Sequence, residues 1–155
     1  MTTRKTSTLV PYSAADMFAL VADVEKYPEF LPWCPALRVV ERSAEGDDEV
    51  VIADMMVAYK VFREQFRCKI ELNHGQKTID VGFVNGPFRH LETNWHFEDV
   101  RSDQSKVHFC IDFELKNIVL QTAAQAFFEV KFSQMADAFI ERAHALAGIP
   151  GKTSI

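Results

Sequence analysis

The chain has 155 residues, a net charge of −5 and 13 phenylalanines. That length suits one domain, residues 1–155, able to bury a sizeable core without a disulfide or metal. The acidic balance counts against a general nucleic-acid binder, and DNA is not an expected partner, but a local basic patch is compatible with it.

Three cysteines, Cys34, Cys68 and Cys110, are odd in number and far apart, with no zinc-like Cys/His spacing. They read as free thiols in a reducing compartment. The first residues contain no apolar signal core, and no apolar run reaches membrane-spanning length. The expected location is the cytoplasm, with peripheral contact at the inner face of a membrane still compatible.

In chain order, residues 2–10 read as a first strand. Ser13-Ala14-Ala15-Asp16 then forms a capping-box-like helix start, with a helix over 14–23 whose inner face carries Phe18, Leu20 and Val21. A further helical turn reaches about Tyr27. The next stretch, Tyr27-Pro28-Glu29-Phe30-Leu31-Pro32-Trp33-Cys34-Pro35, holds three of the six prolines and one of the two tryptophans. Its prolines exclude a regular helix or central strand, yet it is too apolar for a free loop. It must lie against apolar surface, as a structural corner or as the wall of a cavity.

Strand patterns follow over 36–42, 49–59, 61–72, 78–84, 88–98 and 107–115, separated by turns at 43–48, 73–76, 85–87 and 98–106. Alternation puts Phe62, Glu64, Phe66, Cys68, Ile70 and Leu72 on one face of the third of these. It likewise groups Arg89, Leu91, Thr93, Trp95 and Phe97, and then Val107, Phe109, Ile111, Phe113 and Leu115. It does not decide whether Asp54 and Met56 or Met55 and Val57 face inward. Residues 118–147 read as one long helix with a stripe of Leu120, Ala124, Phe127, Phe128, Phe132, Met135, Phe139, Ala143 and Leu146.

This order predicts an α+β helix-grip fold: a curved seven-stranded antiparallel sheet around a long C-terminal helix. A concave sheet and a cylinder fit imperfectly, so a cavity is expected between them. Meander parity places Trp33-Cys34-Pro35, Tyr59-Lys60, Asn85-Gly86-Pro87 and Lys116-Asn117 at one end, the expected mouth.

Three stretches carry a resemblance: residues 23–34, Asp-Val-Glu-Lys-Tyr-Pro-Glu-Phe-Leu-Pro-Trp-Cys; residues 86–97, Gly-Pro-Phe-Arg-His-Leu-Glu-Thr-Asn-Trp-His-Phe; and residues 128–143, from Phe128 to Ala143. The chain resembles the coenzyme Q-binding, START-like family, whose bacterial members are also called RatA or oligoketide cyclase/lipid transport proteins. The resemblance implies a helix-grip fold with an apolar tunnel that binds a long-tailed ubiquinone in support of respiratory electron transfer. For some bacterial members it implies instead association with the large ribosomal subunit.

Candidate ligand-binding residues are Tyr27, Phe30, Leu31 and Trp33 at the corner, Glu64, Phe66, Arg89, Leu91, Trp95 and Phe109 on the sheet, and Phe128, Phe132 and Met135 on the last helix. Glu64 and Arg89 share apolar parity and are read either as polar contacts to a ligand or as ordinary paired or solvated groups. Cys34 has no neighbouring His to activate it, and His90, His96 and His108 sit on outward parity. No catalytic residue, metal site or required cofactor is expected. Isoprenoid quinone or another lipid is the expected ligand, and polyketide cyclisation, which would need Glu64 as acid or base, ranks last.

Overall fold

The computed structural model describes residues 2–59, 62–86, 88–119, 122 and 135–147. Its elements are β1 (Thr2–Val10), α1 (Ala14–Ala22), a 3-10 turn (Val24–Glu29), β2 (Ala36–Glu45), β3 (Asp48–Tyr59), β4 (Phe62–Asn73), β5 (Thr78–Asn85), β6 (Phe88–Arg101), β7 (Gln104–Leu115) and α2 (Met135–Leu146). The strands form one seven-stranded sheet in the order β1-β7-β6-β5-β4-β3-β2, with every neighbouring pair antiparallel. The helix-grip expectation is met. The middle of the expected last helix, with Phe127, Phe128 and Phe132, lies outside the described residues.

Two hairpins are tighter than their composition suggests. The residues expected as long polar turns belong to strands, leaving only Gly46-Asp47 between β2 and β3 and Ser102-Asp103 between β6 and β7. Gly46 holds φ at +60°, which glycine adopts without a Cβ penalty. The flanking polar residues are exposed strand ends, where alternation carries no apolar signal.

The inner face of the sheet is the core. Phe66, Cys68, Ile70 and Leu72 on β4, Leu91, Thr93, Trp95 and Phe97 on β6, and Val107, Phe109, Ile111, Phe113 and Leu115 on β7 are all buried. Helix α1 begins as expected, with the Ser13 hydroxyl accepting from the Asp16 amide at 3.1 Å, and it buries Ala14, Met17, Phe18 and Val21. Helix α2 buries Met135, Ala136, Phe139, Ile140 and Ala143. Leu146, placed by periodicity on the same stripe, is exposed, because α2 ends there beyond the sheet.

Edge strand β1 is fixed by side chains as well as by its ladder. The Thr3 hydroxyl donates to Asp112, and the Ser7 hydroxyl meets His108 Nδ1 at 2.8 Å while His108 Nε2 meets Glu98 at 2.7 Å. On the outer face of β3, Asp54 is buried beneath two guanidiniums. Arg67 holds it through Nε at 2.7 Å and Nη2 at 3.0 Å, and Arg38 through Nη2 at 3.2 Å. This resolves the β3 alternation: Met55 and Val57 face inward. Arg67 hydrogen bonding, then that of Arg38, holds the Asp54 carboxyl below its ordinary value although burial opposes them. The depressed folded-state pKa means the contribution is present above the ordinary carboxylate pKa and is lost as pH falls through the lower one.

Gly86 closes the β5–β6 connection with φ at +148°, and a Cβ there would lie 2.4 Å from Phe66 Cβ. Gly86→Ala is expected to cost about 2–4 kcal/mol from backbone strain and overpacking, measured by urea denaturation. Gly82→Ala, with nothing within 4 Å of its Cβ, is expected to leave the midpoint unchanged or raise it.

Candidate functional site

The proline-rich stretch folds as the corner between α1 and β2. Val24–Glu29 forms a 3-10 turn that contains Pro28. A short 3-10 turn tolerates the missing amide because few of its donors have internal partners. The Phe30 and Leu31 amides both donate to the Tyr27 carbonyl, at 3.2 and 2.9 Å, and the Cys34 amide donates to Leu31 at 2.9 Å. The Trp33 carbonyl then accepts from the Ala58 amide at 2.9 Å, tying the corner to the end of β3. Tyr27, Leu31, Trp33 and Cys34 are buried by this path, with Phe30 half-buried. The Tyr27 hydroxyl donates to the Val21 carbonyl, satisfying its one polar atom inside the core.

The corner covers one end of the concave sheet, and α2 crosses over both. Phe139, fully buried, meets Tyr27, Phe30 and Trp95 edge-on at ring distances of 5.0, 5.1 and 5.2 Å. Arg142 lies 5.0 Å over the Phe30 ring and pairs with Glu29 at 2.9 Å. The Tyr12 hydroxyl meets His144 Nδ1 at 2.7 Å near the far end of α2.

Between corner, sheet and α2 the described residues bound a partly open cavity of about 40 Å³. Its walls are Tyr27 and Trp33 from the corner, Met55, Phe66, Cys68, Ile70, Val81, Leu91, Thr93 and Trp95 from the sheet, and Met135 from α2. Six candidates from the sequence thus meet in one place: Tyr27, Trp33, Phe66, Leu91, Trp95 and Met135. Phe109 is one layer away, packed on Trp95 at 4.4 Å, and Phe30 and Leu31 back the corner without lining the cavity. Phe128 and Phe132 lie outside the described residues.

The two charged candidates behave differently from the apolar ones. Arg89 is exposed on the outer side, pairing with Glu114 at 3.2 Å and donating to the Lys116 carbonyl at 3.0 Å. The cause is a bulge: β6 and β7 shift register between Phe88 and His90, so Phe88 and Leu91 both turn inward and Arg89 turns out. Glu64 stays on the inner parity opposite Val57, but near the strand end, half-exposed and away from the cavity wall.

Sequence reasoning left out Met55, Cys68, Ile70, Val81 and Thr93. Cys68, Ile70 and Thr93 carried the available signal, since each shares inward alternation with a named neighbour. Thr93 is the informative omission. It is 3% exposed and lines an otherwise apolar cavity.

Two of the three thiols are shielded by burial. Burial pushes the Cys34 thiol up to about 11 and that of Cys68 up to about 12, so neither forms a thiolate near neutrality. His90, Glu92 and Asp112 bring ligand atoms within 4.8 Å of one another, but on the exposed outer face, remote from the cavity. No described helix is long and apolar enough to cross a membrane.

A family model described as polyketide cyclase/dehydrase and lipid transport matches residues 10–140. The ribosome association toxin RatA of Pseudomonas aeruginosa is 33% identical over 142 residues, covering 92% of this chain and 95% of that protein. The mitochondrial coenzyme Q-binding protein COQ10 homolog B of Xenopus laevis is 30% identical over 145 residues, covering 92% of this chain and 58% of that one. The solution structure of an 18 kDa protein from Caulobacter crescentus superposes with a TM-score of 0.76 at 29% identity, covering 96% and 99% of the two chains. The ZhuI aromatase/cyclase of a Streptomyces species superposes at 0.74 with 13% identity, covering 94% and 95%, a likeness of fold alone.

With native protein at pH 8, a disulfide-exchange reagent is expected to titrate about one thiol per chain, the half-exposed Cys110. All three should react in denaturant, and rapid native labelling of Cys34 would contradict the packing described for the corner.

Proposed function

Because the chain belongs to the polyketide cyclase/dehydrase and lipid transport family, we propose that it binds an isoprenoid quinone, or a lipid of similar shape, between the concave sheet and α2. The observation that carries this reading is the cavity wall. Ten of its eleven described side chains are apolar, aromatic or thiol, and both tryptophans of the chain are among them. A wall of this kind gains from burying hydrocarbon, at about 0.8 kcal/mol per CH₂. Two isoprene units, about ten carbons, offer about 8 kcal/mol, the scale of a micromolar complex.

The cavity of about 40 Å³ bounded by the described residues is far smaller than a ligand site of roughly 300–1,000 Å³. Binding on this reading therefore requires the corner and α2 to part. The contacts between them suit such a step: edge-on aromatic pairs worth about 0.5–1.5 kcal/mol each and one half-exposed ion pair, Arg142 with Glu29. In the opened site the Thr93 hydroxyl is the group available to a quinone carbonyl. Most of a long tail would remain outside, in a membrane or a second copy. It holds and releases its ligand without turnover, and no cofactor beyond that ligand is assigned.

A second reading, ribosome association, is favoured by relatives that match along 95% of their length and are named ribosome association toxin. Cyclisation has less support, since Glu64 lies off the cavity wall and the cyclase likeness is at 13% identity.

Adding a short-tailed ubiquinone analogue is expected to quench the fluorescence of Trp33 and Trp95 saturably at micromolar concentration. Trp33→Phe and Trp95→Phe should each remove part of the signal, and Thr93→Val should weaken binding about fivefold to tenfold, the scale of one hydrogen bond. Unquenched tryptophans, together with an organic extract of the purified protein free of prenyl lipid, would dispose of the quinone reading.

A further inference from the structure

The outer face of β6 and β7 carries three metal-ligating side chains that the cavity does not use. His90 and Glu92 stand two apart on β6 and share the outward face of the sheet. Asp112 on β7 is the direct register partner of Glu92. One ligand atom from each of the three lies within 4.8 Å of the others, with His90 and Asp112 half-buried and Glu92 exposed. Two carboxylates directly opposite on adjacent strands repel. Another opposed pair on this face, Glu71 and Asp80, is eased by the Asn94 amide, which donates to Asp80 at 2.7 Å. Among the described residues Glu92 has no such donor, and Asp112 has the Thr3 hydroxyl. The surrounding cations are engaged elsewhere or set apart. Arg67 is held by Asp54 and Arg89 by Glu114. Lys5 stands opposite Cys110 and Lys69 opposite Gly82, and neither forms an ion pair with the trio.

We infer that His90, Glu92 and Asp112 form a binding site for a divalent metal ion of the zinc class. The imidazole separates this trio from a solvated acidic patch, because imidazole nitrogen suits zinc-class ions, whereas magnesium and calcium take oxygen ligands. Three of the other four histidines are committed: His74 to Glu49, His108 to Ser7 and Glu98, and His144 to Tyr12. His96 stacks on His108 at 5.7 Å. His90 has both ring nitrogens without a hydrogen-bond partner among the described residues. Ligand atoms about 2.1 Å from a tetrahedral zinc ion lie about 3.4 Å from one another, so small side-chain rotations on fixed strands close the trio around the ion. The ion neutralises the opposed carboxylates and ties β6 to β7. The Thr3 bond holds Asp112 from β1, as outer-shell partners hold metal ligands elsewhere. Three protein ligands leave one tetrahedral position open. Beside the trio a groove of about 290 Å³ has His90 and Glu92 in its wall and runs over Gly82, where nothing lies within 4 Å of a Cβ position. A water or an anionic ligand atom has room there to complete the coordination. The inference is independent of both the lipid and the ribosome readings.

The test uses the full chain stripped of metal by a chelator, with zinc chloride as the probe, followed by titration calorimetry and by the thermal midpoint. The parent is expected to take up one zinc ion per chain at micromolar concentration and to gain thermal stability from it. His90→Ala and Glu92→Gln should each weaken binding by at least about tenfold, and Thr3→Val by about tenfold through Asp112. Glu92→Gln also removes the opposed charges, so its metal-free midpoint is expected at or above the parent's, which verifies its fold. His96→Ala and Cys110→Ser, on the same face but outside the trio, should bind zinc as the parent does. Magnesium in about hundredfold excess should not compete, because the site offers it an imidazole. Zinc held equally by the parent, His90→Ala and Glu92→Gln would overturn the inference. So would zinc lost with His96→Ala or Cys110→Ser, magnesium competing on equal terms, or a parent chain that takes up no zinc.

Discussion

Phe139 is the contact on which the arrangement depends. One ring from α2 meets the proline corner through Tyr27 and Phe30 and the sheet through Trp95, all edge-on at about 5 Å. Three elements distant in sequence share a single buried side chain. The corner cannot pair its backbone into the sheet, because its prolines lack donors, so its order comes from this packing and from the Trp33 carbonyl bond to β3. Without Phe139, the corner would lose its apolar seat and the sheet its cover at the same point.

The same contact explains why the cavity is small and what a ligand would have to part on the proposed lipid reading. Aromatic side chains fill most of the mismatch between a curved sheet and a cylinder. The remaining volume sits where Tyr27, Trp33 and Met135 meet the sheet. Enlarging it requires separating rings that touch edge-on, not breaking a hydrogen-bonded ladder. The Tyr27 hydroxyl is bonded to Val21 on the α1 side, so on the proposed reading the surfaces to part are those of the corner and α2. Affinity for a hydrocarbon ligand is then the hydrophobic gain less the cost of that separation.

The outer face follows a different logic. Asp54 is buried there not by the core but by the two guanidiniums that cover it. One carboxylate thereby holds together two cations that would otherwise repel. Inner and outer faces of the same strands serve unlike chemistries: β4 presents Phe66, Cys68 and Ile70 to the cavity and Arg63, Arg67 and Lys69 to solvent.

The strand alternation, the Ser13 cap, the proline corner and the stripe on α2 were determined locally, because each depends on side-chain period or on backbone chemistry within a few residues. From them followed the seven-stranded sheet, its gripping helix and six of the cavity's wall residues. Tertiary structure alone decided the rest. The bulge at Phe88/His90 turned Arg89 outward, and a bulge adds one residue without altering the alternation on either side of it. Hairpin ends were hidden because exposed strand and polar turn have the same composition. Whether Asp54 or Met55 faced the core depended on two arginines, thirteen and sixteen residues away, that only strand pairing brings together. The size of the cavity is a small difference between large packed volumes, and that difference is fixed by how the rings meet in space.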